Sequence, residues 1–105
     1  MTSIDALVKE LRKKGELYRE FLRVPTLSAG VYVLGPGRTD PQVPHREPEV
    51  YHVVRGKARF RHGDQDREVG PGELLFVGPG EPHRFHSIEE ELVVLVVFGP
   101  AESSH

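Results

Sequence analysis

The chain has 105 residues, 37% of them hydrophobic and 29% charged, with a formal net charge of -2; this describes one ordinary globular domain and excludes a disordered or fibrous chain. The slightly acidic balance gives no footing for nucleic acid or an anionic membrane. Cysteine is absent, which excludes disulfides, thiolate zinc sites and cysteine nucleophiles, so any metal must use imidazole and carboxylate ligands.

Residues 3–23 carry Ile4, Leu7, Val8, Leu11, Tyr18 and Leu22 at helical spacing and predict an amphipathic helix. Thr2 or Ser3 caps its start, and Asp5 lies in the favourable first turn. Gly15 interrupts the stripe at about 1 kcal/mol relative to alanine and can end one helix and open a second. A lone amphipathic helix is marginal in water, so residues 1–25 are expected to form a helical segment packed on a sheet or on a partner subunit.

After Pro25 the pattern changes. Thr26–Leu34, Glu49–Arg55, Lys57–His62, Arg67–Val69, Glu73–Val77, His83–Ser87 and Leu92–Phe98 are short runs rich in Val, Leu, Tyr and Phe. Clusters of glycine, proline and aspartate separate them, which predicts an all-β barrel or sandwich. Lys57, Arg59 and Arg61 read as a solvated strand face. The run Leu92–Phe98 is apolar on both faces, and Glu49, Tyr51 and Val53 alternate with Val50, His52 and Val54. A small barrel has one interior, so the second apolar face must be covered by the helix, by another sheet or by another subunit; a homodimer is the expectation. Residues 99–105 read as a flexible tail. Leu92–Phe98 is also the longest apolar run, too short to span a membrane, and no signal-peptide plan opens the chain; a cytoplasmic location is expected. The absence of asparagine, the single methionine and the preference for arginine fit a thermophilic or GC-rich source.

The six histidines are not equivalent. His105 lies at the last position, and His62 borders a turn. His52 has the opposite strand parity to Glu49, and His86 the opposite parity to His83. His45 and His83 remain. Pro48 disfavours helix at Glu47, so His45 and Glu49 are expected at one strand edge and not as a helical pair. If the strand opened by His83 ends at the same barrel mouth, two imidazoles and one carboxylate meet. Non-haem iron sites use this set, which also suits manganese, zinc or nickel. The alternative is that all three are ordinary polar rim residues.

The spacing of these residues resembles the cupin superfamily, in particular its small single-domain bacterial members. The first cupin motif is matched by Gly37, five residues, Val43-Pro44-His45, three residues, Glu49, six residues and Gly56. The second is matched by Gly72, five residues, Gly78-Pro79-Gly80, two residues, His83, three residues and Ser87, with fifteen residues between the motifs. The resemblance covers residues 26–98 and implies a double-stranded β-helix, the jelly-roll barrel. It also implies one divalent transition metal held by His45, Glu49 and His83. Val43 stands where the family has its first histidine, so one of four usual ligands is missing. Glu47 is a possible replacement oxygen, with a solvated loop carboxylate as its alternative, and Gln42 is a further candidate. Ser87 and Gly78 replace the motif's asparagine and proline.

Tyr51 and Phe85 share faces with Glu49 and His83, with Phe60 or Phe76 deeper. Tyr51 is the catalytic candidate, as a hydrogen-bond donor or acid beside the metal. What the resemblance implies for function is a metal-binding cupin that binds or acts on a small molecule in its pocket. An enzymatic version would be a non-haem metal-dependent enzyme of the dioxygenase or isomerase type. The alternative is a non-enzymatic ligand-binding, sensing or scaffold cupin that has lost one metal ligand. Fold alone does not choose between them.

Overall fold

The computed structural model describes residues 2–41 and 44–103. Helix α1 (Ile4–Lys14) starts at Ser3, whose hydroxyl accepts the Ala6 N–H at 3.1 Å. It stops at Gly15, whose left-handed φ of 67° lets the Glu16 N–H turn back to the Leu11 carbonyl at 3.1 Å. The expected continuation of helix to residue 23 does not form. Tyr18–Val24 is instead strand β1, paired antiparallel with β2 (Leu27–Leu34). The helical spacing of Tyr18 and Leu22 is a coincidence that strand pairing overrides: Tyr18 packs against the interior, and Leu22 is exposed on the outer strand.

The remaining strands are β3 (Glu49–His62), β4 (Gln65–Val69), β5 (Leu74–Val77) and β6 (His83–Phe98). They lie in the order β1-β2-β6-β3-β4, with β5 also paired to β3. The runs expected as separate strands at 49–55 and 57–62, and at 83–87 and 92–98, are thus single long strands. β3 and β6 pair along almost their whole length, with register shifts between Val53 and Arg59 that bend both and roll the sheet into the double-stranded β-helix. Gly56 sits in that bend at φ 103°, where a Cβ would stand 2.3 Å from the Glu91 carbonyl oxygen; only glycine admits this backbone approach. Ser87, at the motif's asparagine position, has φ 51°, a conformation asparagine accepts more easily than serine.

Strand alternation makes two cores. Tyr32, Leu34, Tyr51, Phe60, Phe85 and Phe98 fill the barrel with their neighbours. Val31, Val33 and Val93, on the opposite faces of β2 and β6, are covered by Leu7, Val8 and Leu11 of α1. The second apolar face is therefore partly covered by the helix. Val50, Leu74 and Phe76 remain exposed outside, so Phe76 does not lie deep in the barrel. Arg59 and Arg61 keep to the outer face beside Asp66. Among the described residues no helix is long and apolar enough to cross a membrane.

Candidate metal centre

Glu49 opens β3 with its side chain directed inward, between Val77 of β5 and Phe98 of β6. His45 lies in the bent segment before β3, and its carbonyl accepts the Gly80 N–H at 2.7 Å. Gly80 belongs to the turn that leads into β6, three residues before His83. This single backbone bond ties the two histidine-bearing segments together. His45, Glu49 and His83 each offer a ligand atom within 4.8 Å of the others, and all three are buried. Among the described residues they are the one such group.

The Glu49 carboxylate is 1% exposed. Its Oε1 lies 2.8 Å from His83 Nε2 and 3.7 Å from His45 Nδ1. Neither of its oxygens accepts a hydrogen bond of acceptable geometry from the described residues; the imidazole nitrogens are near but poorly aimed. A buried carboxylate without aligned donors costs several kcal/mol unless a cation lies against it. On His83, Nδ1 is 2.9 Å from the Glu81 carbonyl oxygen. A carbonyl can only accept, so Nδ1 carries a proton and Nε2 is the ring nitrogen turned toward Glu49. Tyr51 is fully buried, with its hydroxyl 3.0 Å from the same Nε2. The site thus concentrates electron pairs where a positive charge is needed. Protons answer this need in part. His45 is raised from 6.5 to about 9, first by Glu102 and then by Glu49, against the effect of burial. Burial works against charged His83, but Glu49 and the Glu81 carbonyl outweigh it and raise that group too. Burial works to raise the Glu49 carboxyl, and the two imidazoles outweigh it and hold it low. A divalent ion fits the same donor set, since two imidazoles and a carboxylate suit iron, manganese, zinc or nickel.

The other sequence candidates fall elsewhere. Glu47 is buried but turns away from the group. Its two oxygens accept the Ser103 N–H at 3.0 Å and the Ser103 hydroxyl at 2.5 Å, so it is not available as a replacement ligand. Gln42, Val43 and His105 lie outside the described residues. His86 points outward to Asp66 at 3.0 Å, and His62 pairs with Glu81 at 3.1 Å.

Three residues near the centre were not anticipated. Asp40, 1% exposed, accepts the Phe85 N–H at 3.0 Å and pins the start of β6. Tyr18 packs its ring 4.4 Å from that of Tyr32, and its buried hydroxyl has no hydrogen-bond partner among the described residues. A Cβ on Gly30 would lie 2.2 Å from that hydroxyl, so the glycine makes the space the tyrosine uses. Glu102 places Oε2 2.7 Å from His45 Nε2. The expectation of a flexible tail fails for residues 99–103, which are bonded to Pro25, Ser28, Glu47 and Pro48. Tyr18 was hidden by the helical reading. Nothing in the spacing of residues 99–103 links them to a site more than fifty residues earlier.

A family model described as the cupin domain matches residues 30–98. An uncharacterized protein of Streptomyces coelicolor is 43% identical over 100 residues, covering 95% of each chain. The dimethylsulfoniopropionate lyase of Ruegeria pomeroyi is 30% identical over 74 residues, covering 70% of this chain and 37% of the lyase. An uncharacterized Klebsiella pneumoniae protein with a double-stranded β-helix domain superposes with a TM-score of 0.80 at 20% identity, over 100% of this chain and 97% of that one.

Proposed function

This chain belongs to the cupin family, and on that footing we propose that it is a metal-binding cupin whose ion is held by His45, Glu49 and His83 and whose barrel mouth takes a small molecule. The observation that carries the reading is the buried Glu49 carboxylate, within 4.8 Å of two imidazoles yet accepting no well-aligned hydrogen bond. A divalent ion at this point would supply Lewis acidity, polarising an oxygen of the bound molecule. The chain's own residues supply the rest. Glu49 holds negative charge at the centre. The Glu81 carbonyl fixes the tautomer of His83. Tyr51 holds its hydroxyl oxygen 3.0 Å from His83 Nε2, within reach of a molecule at the same place. Phe60, Phe85 and Phe98 keep bulk water away from these groups.

Similarity to a lyase over 70% of this chain supports an enzymatic version, in which Tyr51 moves a proton. A second reading, a non-enzymatic scaffold cupin, is favoured by the closure of the centre: the side chain of His83 is 0% exposed and Glu102 covers His45. The small outward apolar patch of Val50, Leu74 and Phe76 supports a homodimer.

The test is metal analysis of protein purified without chelators, followed by titration with Fe(II), Mn(II), Zn(II) and Ni(II). About one equivalent bound, and lost in Glu49→Ala, is the expected result. Less than about a tenth of an equivalent, with no uptake on addition, overturns the proposal.

A further inference from the structure

The segment that follows β6 is tied to the candidate centre by a carboxylate no motif assigns. Glu102 Oε2 is 2.7 Å from His45 Nε2, and its side chain is 16% exposed. We infer that Glu102 is a positioning residue for the metal: it takes the Nε2 proton of His45 and so turns the Nδ1 of that ring toward the ion. The inference rests on the proposed metal site and adds to it a ligand atom and a supporting residue.

A carboxylate at this distance accepts, so the proton of the imidazole sits on Nε2. The opposite ring nitrogen, Nδ1, is the one that faces Glu49, at 3.7 Å from Oε1. His83 is arranged by the same logic from the other side, since its Nδ1 meets the Glu81 carbonyl and its Nε2 faces Glu49. Each ring therefore has one nitrogen committed to an outer acceptor and the other turned to the centre. Outer acceptors of this kind orient a ligating imidazole and raise its basicity. Glu102 stands outside the group whose ligand atoms converge within 4.8 Å, so its action runs through His45 and not by direct ligation.

Glu102 is also built in. Its N–H donates to the hydroxyl of Ser28 at 2.8 Å, a residue that is 0% exposed. Its carbonyl accepts from the Arg23 guanidinium at 2.7 Å, and that guanidinium is held in turn by Glu20. The next residue, Ser103, is bonded through both N–H and hydroxyl to Glu47. Backbone and neighbours are thus fixed independently of the carboxylate, which leaves the carboxylate to serve His45.

The experiment uses Zn(II) and the full chain labelled with 15N. Long-range proton–nitrogen spectra of the zinc-loaded protein assign the metallated nitrogen of each histidine, and chelator competition gives the affinity. Zinc on Nδ1 of His45 with the proton on Nε2, and on Nε2 of His83, is expected. Glu102→Ala should weaken zinc binding by about 10- to 100-fold, and Glu102→Gln, which keeps an accepting oxygen, by less. Ser103→Ala loosens the same segment without touching the carboxylate. It should leave affinity and tautomer unchanged, which separates orientation of His45 from general anchoring. Zinc on Nε2 of His45, or Glu102→Ala binding within two-fold of the parent, overturns the inference and leaves the metal site standing. A parent protein that takes up no zinc overturns both.

Discussion

The proton and the metal compete for His45, and the competition has two measurable sides. Glu102 and Glu49 raise the ring from 6.5 to about 9, equivalent to about 3 kcal/mol. Because the folded value lies above the unfolded one, this stability is fully present below pH 6.5 and is lost as the pH rises through 9. His83, raised in the same direction, adds to the effect. Glu49, held low, contributes only in acid and does not enter this window. Metal-free protein should therefore lose stability between pH 6.5 and 9.5, by about 10–20 °C in Tm for a domain of this size. Metal binding should run the other way. The ion must displace the His45 proton, and any proton on His83 Nε2 as well, so zinc affinity should rise by at least about ten-fold per pH unit, or at least roughly 100-fold from pH 6.5 to 8.5. Thermal denaturation of chelator-treated protein reads the first effect. Calorimetric titration in buffers of different ionisation enthalpy reads the second and counts the protons released. A metal-free Tm that is flat or rising across the window, together with a zinc affinity independent of pH, would refute the charge assignment at this centre.

Other substitutions test separate parts of the structure. Gly56→Ala places a Cβ 2.3 Å from the Glu91 oxygen and 2.6 Å from Leu92 Cα at φ 103°. Left-handed strain and overpacking together should cost about 2–4 kcal/mol, seen as a lower urea midpoint with an unchanged slope. Tyr51→Phe keeps the ring packing on Phe85 at 5.2 Å and removes the hydroxyl that meets His83 Nε2 at 3.0 Å. Urea denaturation of the metal-free protein should show a loss of about 1 kcal/mol. Leu74→Lys combined with Phe76→Lys alters side chains that are 68% and 63% exposed. It should shift sedimentation from dimer to monomer without changing the monomer's circular dichroism; a parent that sediments as a monomer removes the dimer proposal.

The all-strand architecture after Pro25 was legible because strand alternation and glycine-proline punctuation are local signals. The inward set Glu49, Tyr51 and Val53 follows from parity alone once β3 exists. His86 follows by the same rule, facing out to Asp66. Register on the long strands was not legible. The bends in β3 and β6 depend on cross-strand pairing, so what reads as four short strands is two long ones. The end of the helix was only half legible. Gly15 marks it, but the conversion of Tyr18–Val24 to strand required the β2 edge to be present.

At the candidate centre, the sequence by itself determined which ligand types were possible, since cysteine is absent, and which residues had the spacing to meet. Tertiary structure decided that they do meet: the pairing of Glu49 with Val77 and Phe98 and the backbone bond from Gly80 to His45 join segments more than twenty-five residues apart. It also decided the surroundings: Glu47 spent on Ser103, Tyr51 at His83, and Glu102 at His45. Local pattern records what a residue can do beside its neighbours in the chain. Contacts closed across long loops leave no trace in that pattern, because their partners are chosen by packing.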